Sequence, residues 1–207
     1  PHVLVAGRIH EAGLDLLRAT PGVTLECVEE VSTEAYAPLV GRADAILIRT
    51  QPMPAAVIAE APQLQIVSRH GVGYDAVEVP ALTARGVPLM TAGTANSTSV
   101  AEQAFHLIIA LAKMNRHMDA LVRDGKWNDR HQAPPMELSG KTVLIVGFGR
   151  IGTRSARRCA AFDMNVLIHD PYVDQATIKA AGYEAVSDLD AVLPRVDIVC
   201  IHCPKNP

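Results

Sequence analysis

The sequence has 207 residues, 49% hydrophobic and 20% charged, with a formal net charge of −3. Such a chain can bury the core of one large or two small domains, so general disorder is excluded. There is no basic excess for nucleic acid, no apolar run near the ~18 residues of a membrane span, and no disulfide framework in a chain with 4 cysteines. Nucleic acid and membrane are not expected as partners, and a reducing, cytoplasmic setting is the expectation. No basic segment followed by an apolar stretch opens the sequence, so no signal peptide is read at Pro1.

Short β-rich runs at 3–6, 23–28, 45–48, 65–68 and 87–90 alternate with helical stretches at 11–18, 33–42, 55–60 and 79–85. Several runs are apolar throughout, which suits parallel strands covered on both faces. The rhythm predicts an α/β layered domain ending near residue 95. Ser99-Val100-Ala101-Glu102 reads as a capping box, with Ser99 satisfying an orphan amide and Glu102 reaching back. One long apolar helix is predicted from there to about Met118, and its width implies burial between domains or subunits. Residues 123–138 read as a loop. A second α/β rhythm follows: strand 142–146, helix 151–162, strand 166–169, helix 175–181, a short run 184–186, helix 187–193 and strand 197–202. Asp188 and Asp190 read as a helix-start cap.

The sharpest signal is Gly147-Phe148-Gly149-Arg150-Ile151-Gly152, after a strand and opening a helix. Gly147 permits the tight turn, Gly149 lets backbone approach a pyrophosphate, and Gly152 lets helix pack on strand. Helix-start amides then face the anion. Arg150 reads either as a phosphate contact or as a solvent-exposed side chain. Asp170, before Pro171, ends the next strand 18 residues beyond Gly152. A carboxylate there accepts from an adenosine ribose and repels a 2′-phosphate, which favours NAD over NADP. Cys200 and Cys203 have CxxC spacing, but they close a strand and have no second pair of ligands, so neither redox chemistry nor a metal site is expected.

Four stretches together resemble the D-isomer-specific 2-hydroxyacid dehydrogenases: residues 69–75, residues 96–102, the glycine turn with Asp170-Pro171-Tyr172, and Val199-Cys200-Ile201-His202-Cys203-Pro204. Ile48-Arg49-Thr50 and Asp124-Gly125-Lys126-Trp127 are similar to the 3-phosphoglycerate dehydrogenase branch. The resemblance implies a flavodoxin-like substrate domain over 1–95 and a Rossmann-type dinucleotide-binding domain over 96–207, the latter incomplete. It implies NAD, hydride transfer to or from a small 2-hydroxy or 2-oxo acid, and a homodimer. 3-Phosphoglycerate, glyoxylate and hydroxypyruvate are the candidate substrates.

At matching positions, the Val72 and Gly73 amides, Arg49 and Asn96 would bind substrate. Ser99, residues 147–152 (Gly147, Phe148, Gly149, Arg150, Ile151, Gly152), Asp170, Pro171, His202, Cys203 and Pro204 would border the cofactor. His70 is read as structural. The family's acid–base His, with its Glu and Arg, follows the His-x-Pro strand, so no catalytic residue is assigned within the chain. About four strands of an expected six are present, and the polypeptide is expected to continue past Pro207. The alternative is an NAD(H)-sensing, corepressor-like protein of the same fold with little turnover.

Overall fold

The computed structural model describes residues 1–203. The chain divides into two compact units, Pro1–Asn96 and Ser97–Pro207.

In the first unit, strands and helices alternate: β1 (His2–Ala6), α1 (Glu11–Arg18), β2 (Thr24–Val28), α2 (Thr33–Tyr36), β3 (Ala45–Ile48), α3 (Ala55–Ala59), β4 (Ile66–Arg69), α4 (Val79–Ala84) and β5 (Leu89–Thr91). All pairings are parallel, in the order β2-β1-β3-β4-β5, the flavodoxin-like arrangement. Strand alternation sends Leu4, Ala6, Ile46, Ile48 and Val67 to one face, against Tyr36, Met53, Ile58 and Leu82. Val3 and Val5 face the other side with Leu14 of α1. β1 is therefore buried on both faces, which is why its run is apolar without alternation. Tyr36 is fully buried and donates its hydroxyl to the Pro52 carbonyl at 2.6 Å. The helix predicted over 33–42 is one α-turn followed by a 3-10 stretch, Ala37–Arg42. Pro38 sits where it removes an amide donor, so the regular ladder stops there.

The second unit opens with α5 (Ser97–Ala112) and α6 (Asn115–Arg123). It continues through β6 (Thr142–Val146), α7 (Gly152–Ala160), β7 (Asn165–His169), α8 (Gln175–Ala180), β8 (Glu184–Ala185), α9 (Leu189–Val192) and β9 (Ile198–Ile201). The sheet is parallel with order β8-β7-β6-β9, the pattern of a first Rossmann half extended by one strand. Among the described residues, four strands stand where a complete dinucleotide-binding sheet has about six.

Two local expectations fail. The single helix from 100 to 118 is broken at Met114, whose φ of 52° is left-handed and cannot continue an α-helix. The capping box is absent, because α5 begins at Ser97 and places Ser99, itself exposed, inside its first turn. Glu102 reaches Arg158 of α7 at 3.2 Å instead. Along α5, Ala101, Phe105, Ile108 and Ala112 are buried while Leu107 and Leu111 stay exposed. Phe105 meets Phe162 edge-to-face at 4.7 Å between ring centroids.

Candidate functional site

The glycine turn follows β6 directly. Gly147 has φ +96°, and a Cβ there would lie 2.9 Å from the Cys203 amide nitrogen. A Cβ on Gly152 would strike the Gly147 carbonyl oxygen. Both are therefore required by the fold, one by conformation and closeness, the other by helix-on-strand packing. Gly149 differs, since its missing Cβ would point into open space. That position leaves the backbone approachable from outside, as a ligand's phosphate requires. Among the described residues the amides of Gly149, Arg150 and Ile151 donate to no protein acceptor. They stand at the N-terminal end of the nine-residue helix α7, where free donors and the helix dipole favour an anion.

Asp170 closes the turn from β7. One carboxylate oxygen accepts from the Phe148 amide at 2.7 Å and the other from the Tyr172 amide at 2.9 Å. Each oxygen keeps a lone pair for a further donor. A cavity of about 340 Å³ lies against this arrangement, lined by Gly147, Gly149, Asp170, Pro171, His202 and Cys203. Its lining comes from the C-terminal ends of β6, β7 and β9, with the β6/β9 junction as the point where strand order reverses. Ligands of open α/β sheets bind at such points. Phe148 is buried beneath the turn, edge-on to Tyr183 at 5.8 Å, and so acts as packing. Arg150 is exposed, Ile151 is half-buried, and Ser99 is exposed. None of these lines the cavity. Pro204 lies outside the described residues.

The first unit has its own cavity, of about 530 Å³, at the same kind of place. Its lining spans the ends of β1 through β4 and includes Arg8, His10, Glu29, Arg49 and His70. Gly7 enters it with φ +101°, and a Cβ there would lie 2.8 Å from the Gln51 side-chain oxygen. Gln51 is 1% exposed and bridges the Thr50 amide and the Glu30 carbonyl, so it fixes the loop carrying Arg49. Arg49 is exposed, and among the described residues its guanidinium donates only to the Arg8 carbonyl at 3.2 Å, which leaves further donors for an anion. Val72 and Gly73 follow β4 as a loop, and among the described residues their amides have no acceptor. They do not line this cavity, and neither does Asn96, which is exposed.

Among the further residues that line these cavities and were not marked as site residues in the sequence are Arg8, His10, Glu29, His169 and Tyr172. His169 and Tyr172 flank Asp170, so chain proximity was the available signal. His10 also caps α1, accepting from the Ala12 amide at 3.2 Å. Among the described residues, no group of three or more His, Cys, Asp or Glu side chains could hold a metal, and no helix is long and apolar enough to cross a membrane.

A parallel sheet, a glycine turn opening a helix, and a strand-end aspartate on that turn define the Rossmann-type dinucleotide-binding class. The comparisons narrow this. Residues 105–207 match the family model described as D-isomer specific 2-hydroxyacid dehydrogenase, NAD binding domain, and the chain belongs to that family. It is 37% identical over 205 residues to a D-3-phosphoglycerate dehydrogenase of Archaeoglobus fulgidus, covering 99% of this chain and 38% of that protein. It is 39% identical over 208 residues to a D-3-phosphoglycerate dehydrogenase of Mycobacterium tuberculosis, covering 100% of this chain and 39% of that one. The chain thus spans well under half the length of these relatives. Among solved structures, an NAD-dependent formate dehydrogenase from Staphylococcus aureus in complex with NAD superposes with a TM-score of 0.86 at 26% identity, covering 100% of this chain and 66% of that one.

Proposed function

We propose that the protein is an NAD-dependent oxidoreductase acting between a small 2-hydroxy acid and the corresponding 2-oxo acid, with 3-phosphoglycerate the first candidate substrate. The observation that carries this is the turn 147–152 closed by Asp170 over a cavity of about 340 Å³. Free amides at Gly149, Arg150 and Ile151 suit the pyrophosphate, and the remaining Asp170 lone pairs suit ribose hydroxyls. The fit to NAD is good at each of these positions. When bound, the nicotinamide supplies or accepts the hydride.

The chain's own residues bind and orient. Val72 and Gly73 hold the substrate carboxylate on backbone amides, and Arg49 supplies a cation for an anionic group. Asn96 and Ser99 contribute to substrate and cofactor respectively. Relatives named D-3-phosphoglycerate dehydrogenase, at 37% and 39% identity, support that substrate. Exposed Leu107 and Leu111 on α5 support a homodimer, and four free thiols support a reducing, cytoplasmic setting.

The test is NADH oxidation by the purified full-length protein across a panel of 2-oxo acids, 3-phosphohydroxypyruvate included. Turnover with at least one of them is expected. NADH binding without turnover on any acid would sink the enzyme reading. Replacing Asp170 by Ala is expected to weaken NADH binding at least tenfold and to relax discrimination against NADPH, as loss of a charge-assisted contact predicts. Unchanged cofactor preference would remove Asp170 from the ribose role.

A further inference from the structure

Cys200 and His202 lie two positions apart at the end of β9, so their side chains leave the backbone on one side. The Cys200 Sγ lies 3.1 Å from His202 Nε2. Burial holds the thiol above its ordinary pKa and the imidazole below its own, so both are neutral at pH 7. A neutral imidazole nitrogen without hydrogen is a good acceptor, whereas a thiol sulfur accepts poorly but carries a proton to donate. The contact is therefore S–H donating to Nε2, which leaves the ring proton on Nδ1. Among the described residues nothing accepts from His202 Nδ1.

A second imidazole lines the same cavity with the opposite offer. His169 Nδ1 lies 3.0 Å from the Val186 carbonyl, which can only accept, so Nδ1 carries the proton and Nε2 is left as an acceptor. We infer that Cys200 is a positioning residue for the cofactor site: its thiol fixes His202 as the Nδ1–H tautomer, giving the cavity one donor for an acceptor oxygen of the dinucleotide. This rests on the dinucleotide reading of the cavity. Cys200 does not touch the ligand and acts only through His202.

The experiment is long-range 15N NMR of the histidine rings in the cofactor-free protein at pH 7.5, alongside NADH titration by fluorescence. In the parent, both His169 and His202 are expected to show a protonated Nδ1. Cys200→Val removes the donor at nearly constant volume. It is expected to move only the His202 signature toward Nε2–H and to weaken NADH binding about three- to tenfold, the equivalent of one hydrogen bond. Cys200→Ser restores the donor and should restore both readouts. A parent that binds NADH but shows His202 protonated on Nε2 overturns this inference alone, as does a Cys200→Val protein with parental tautomer and affinity. A parent that binds no NADH overturns the dinucleotide reading and this inference with it.

Discussion

In the first unit the cavity at the strand ends is lined by Arg8, His10, Glu29, Arg49 and His70; in the second, Gly147, Gly149 and Asp170 take the corresponding place. One is a cleft of long polar side chains and the other a turn from which side chains have been removed. The opposite ends of the two sheets are alike. Asp44, just before β3, accepts from the His2 amide at the start of β1 at 2.6 Å. Asp197, just before β9, accepts from the Thr142 amide at the start of β6 at 2.8 Å. Two residues before each aspartate an arginine pairs with a glutamate on another strand of its sheet, Arg42 with Glu26 of β2 and Arg195 with Glu184 of β8. Both peptides read Arg-x-Asp-x-x-x-Ile. The end of each sheet that clamps the reversal of strand order is thus built one way, and the end that meets a ligand is free to diverge.

The widest separation between the units should come from their glycines. Gly152→Ala drives a Cβ into the Gly147 carbonyl, backbone against backbone, and neither side can yield. We expect a loss of about 3 kcal/mol or more, read by urea denaturation. Gly7→Ala in the first unit meets a left-handed φ of +101°, the Arg49 Cβ at 2.9 Å and the buried Gln51 amide at 2.8 Å, a milder overlap than the one at Gly152. Its cost should be smaller, about 1–2 kcal/mol. Gly149→Ala faces open space and should stay within about 0.5 kcal/mol of the parent while losing NADH affinity at least tenfold. Equal destabilisation by Gly149→Ala and Gly152→Ala would mean that the turn serves the fold only.

This contrast explains what the sequence disclosed. Glycines at 147 and 152 are tightly constrained by the fold with the open Gly149 between them, and this spacing along one strand–turn–helix made the second cavity legible in the sequence. Parallel strands covered on both faces were legible from apolar runs with no alternation, as at β1, whereas such runs carry no information on strand order. The first cavity was nearly invisible, because its polar lining comes from the ends of four strands, each contributing one or two residues of ordinary type. Arg49 was named only through a family resemblance. The break at Met114 was also illegible: neither Gly nor Pro marks it, and the left-handed conformation falls on a residue with no preference for it. Ser99-x-x-Glu102 gave a false start, because a short motif cannot say whether its serine sits before the helix or within it.

A smaller effect concerns the thiols. Burial pushes Cys159 up to about 12, so it carries almost no thiolate at neutral pH and should resist Ellman's reagent until the protein unfolds. Cys203 is exposed and lines the second cavity, so it should react in the folded protein and be protected by NADH. Protection of Cys203 together with Cys27, which borders the first cavity, would mean that NADH shields both units and would blur the distinction between them.

The smallest effect tests the shared clamp. The Thr142 amide, aided by Lys141, holds the Asp197 carboxyl below the usual aspartate value. A group whose folded pKa is depressed contributes stability that is fully present above its unfolded value of about 3.9. That contribution fades as pH falls through the lower folded value, because the unfolded chain then binds the proton first. Asp197→Asn keeps the shape but cannot ionise, so the acid limb of the stability curve should flatten below about pH 4 while the neutral limb drops slightly. Arg42→Met tests the first unit in the same window, since Arg42 first and His2 second hold Glu26 below its ordinary value. Being largely exposed, the Arg42 pair is worth only about 0.2–1 kcal/mol, and salt should screen it. The Asp197 amide contact should resist salt better, because its donor is fixed backbone at 2.8 Å. If acid titration at low and high ionic strength moves both variants alike, the two clamps are surface charge pairs only, and their common peptide pattern has no structural consequence at the strand reversal.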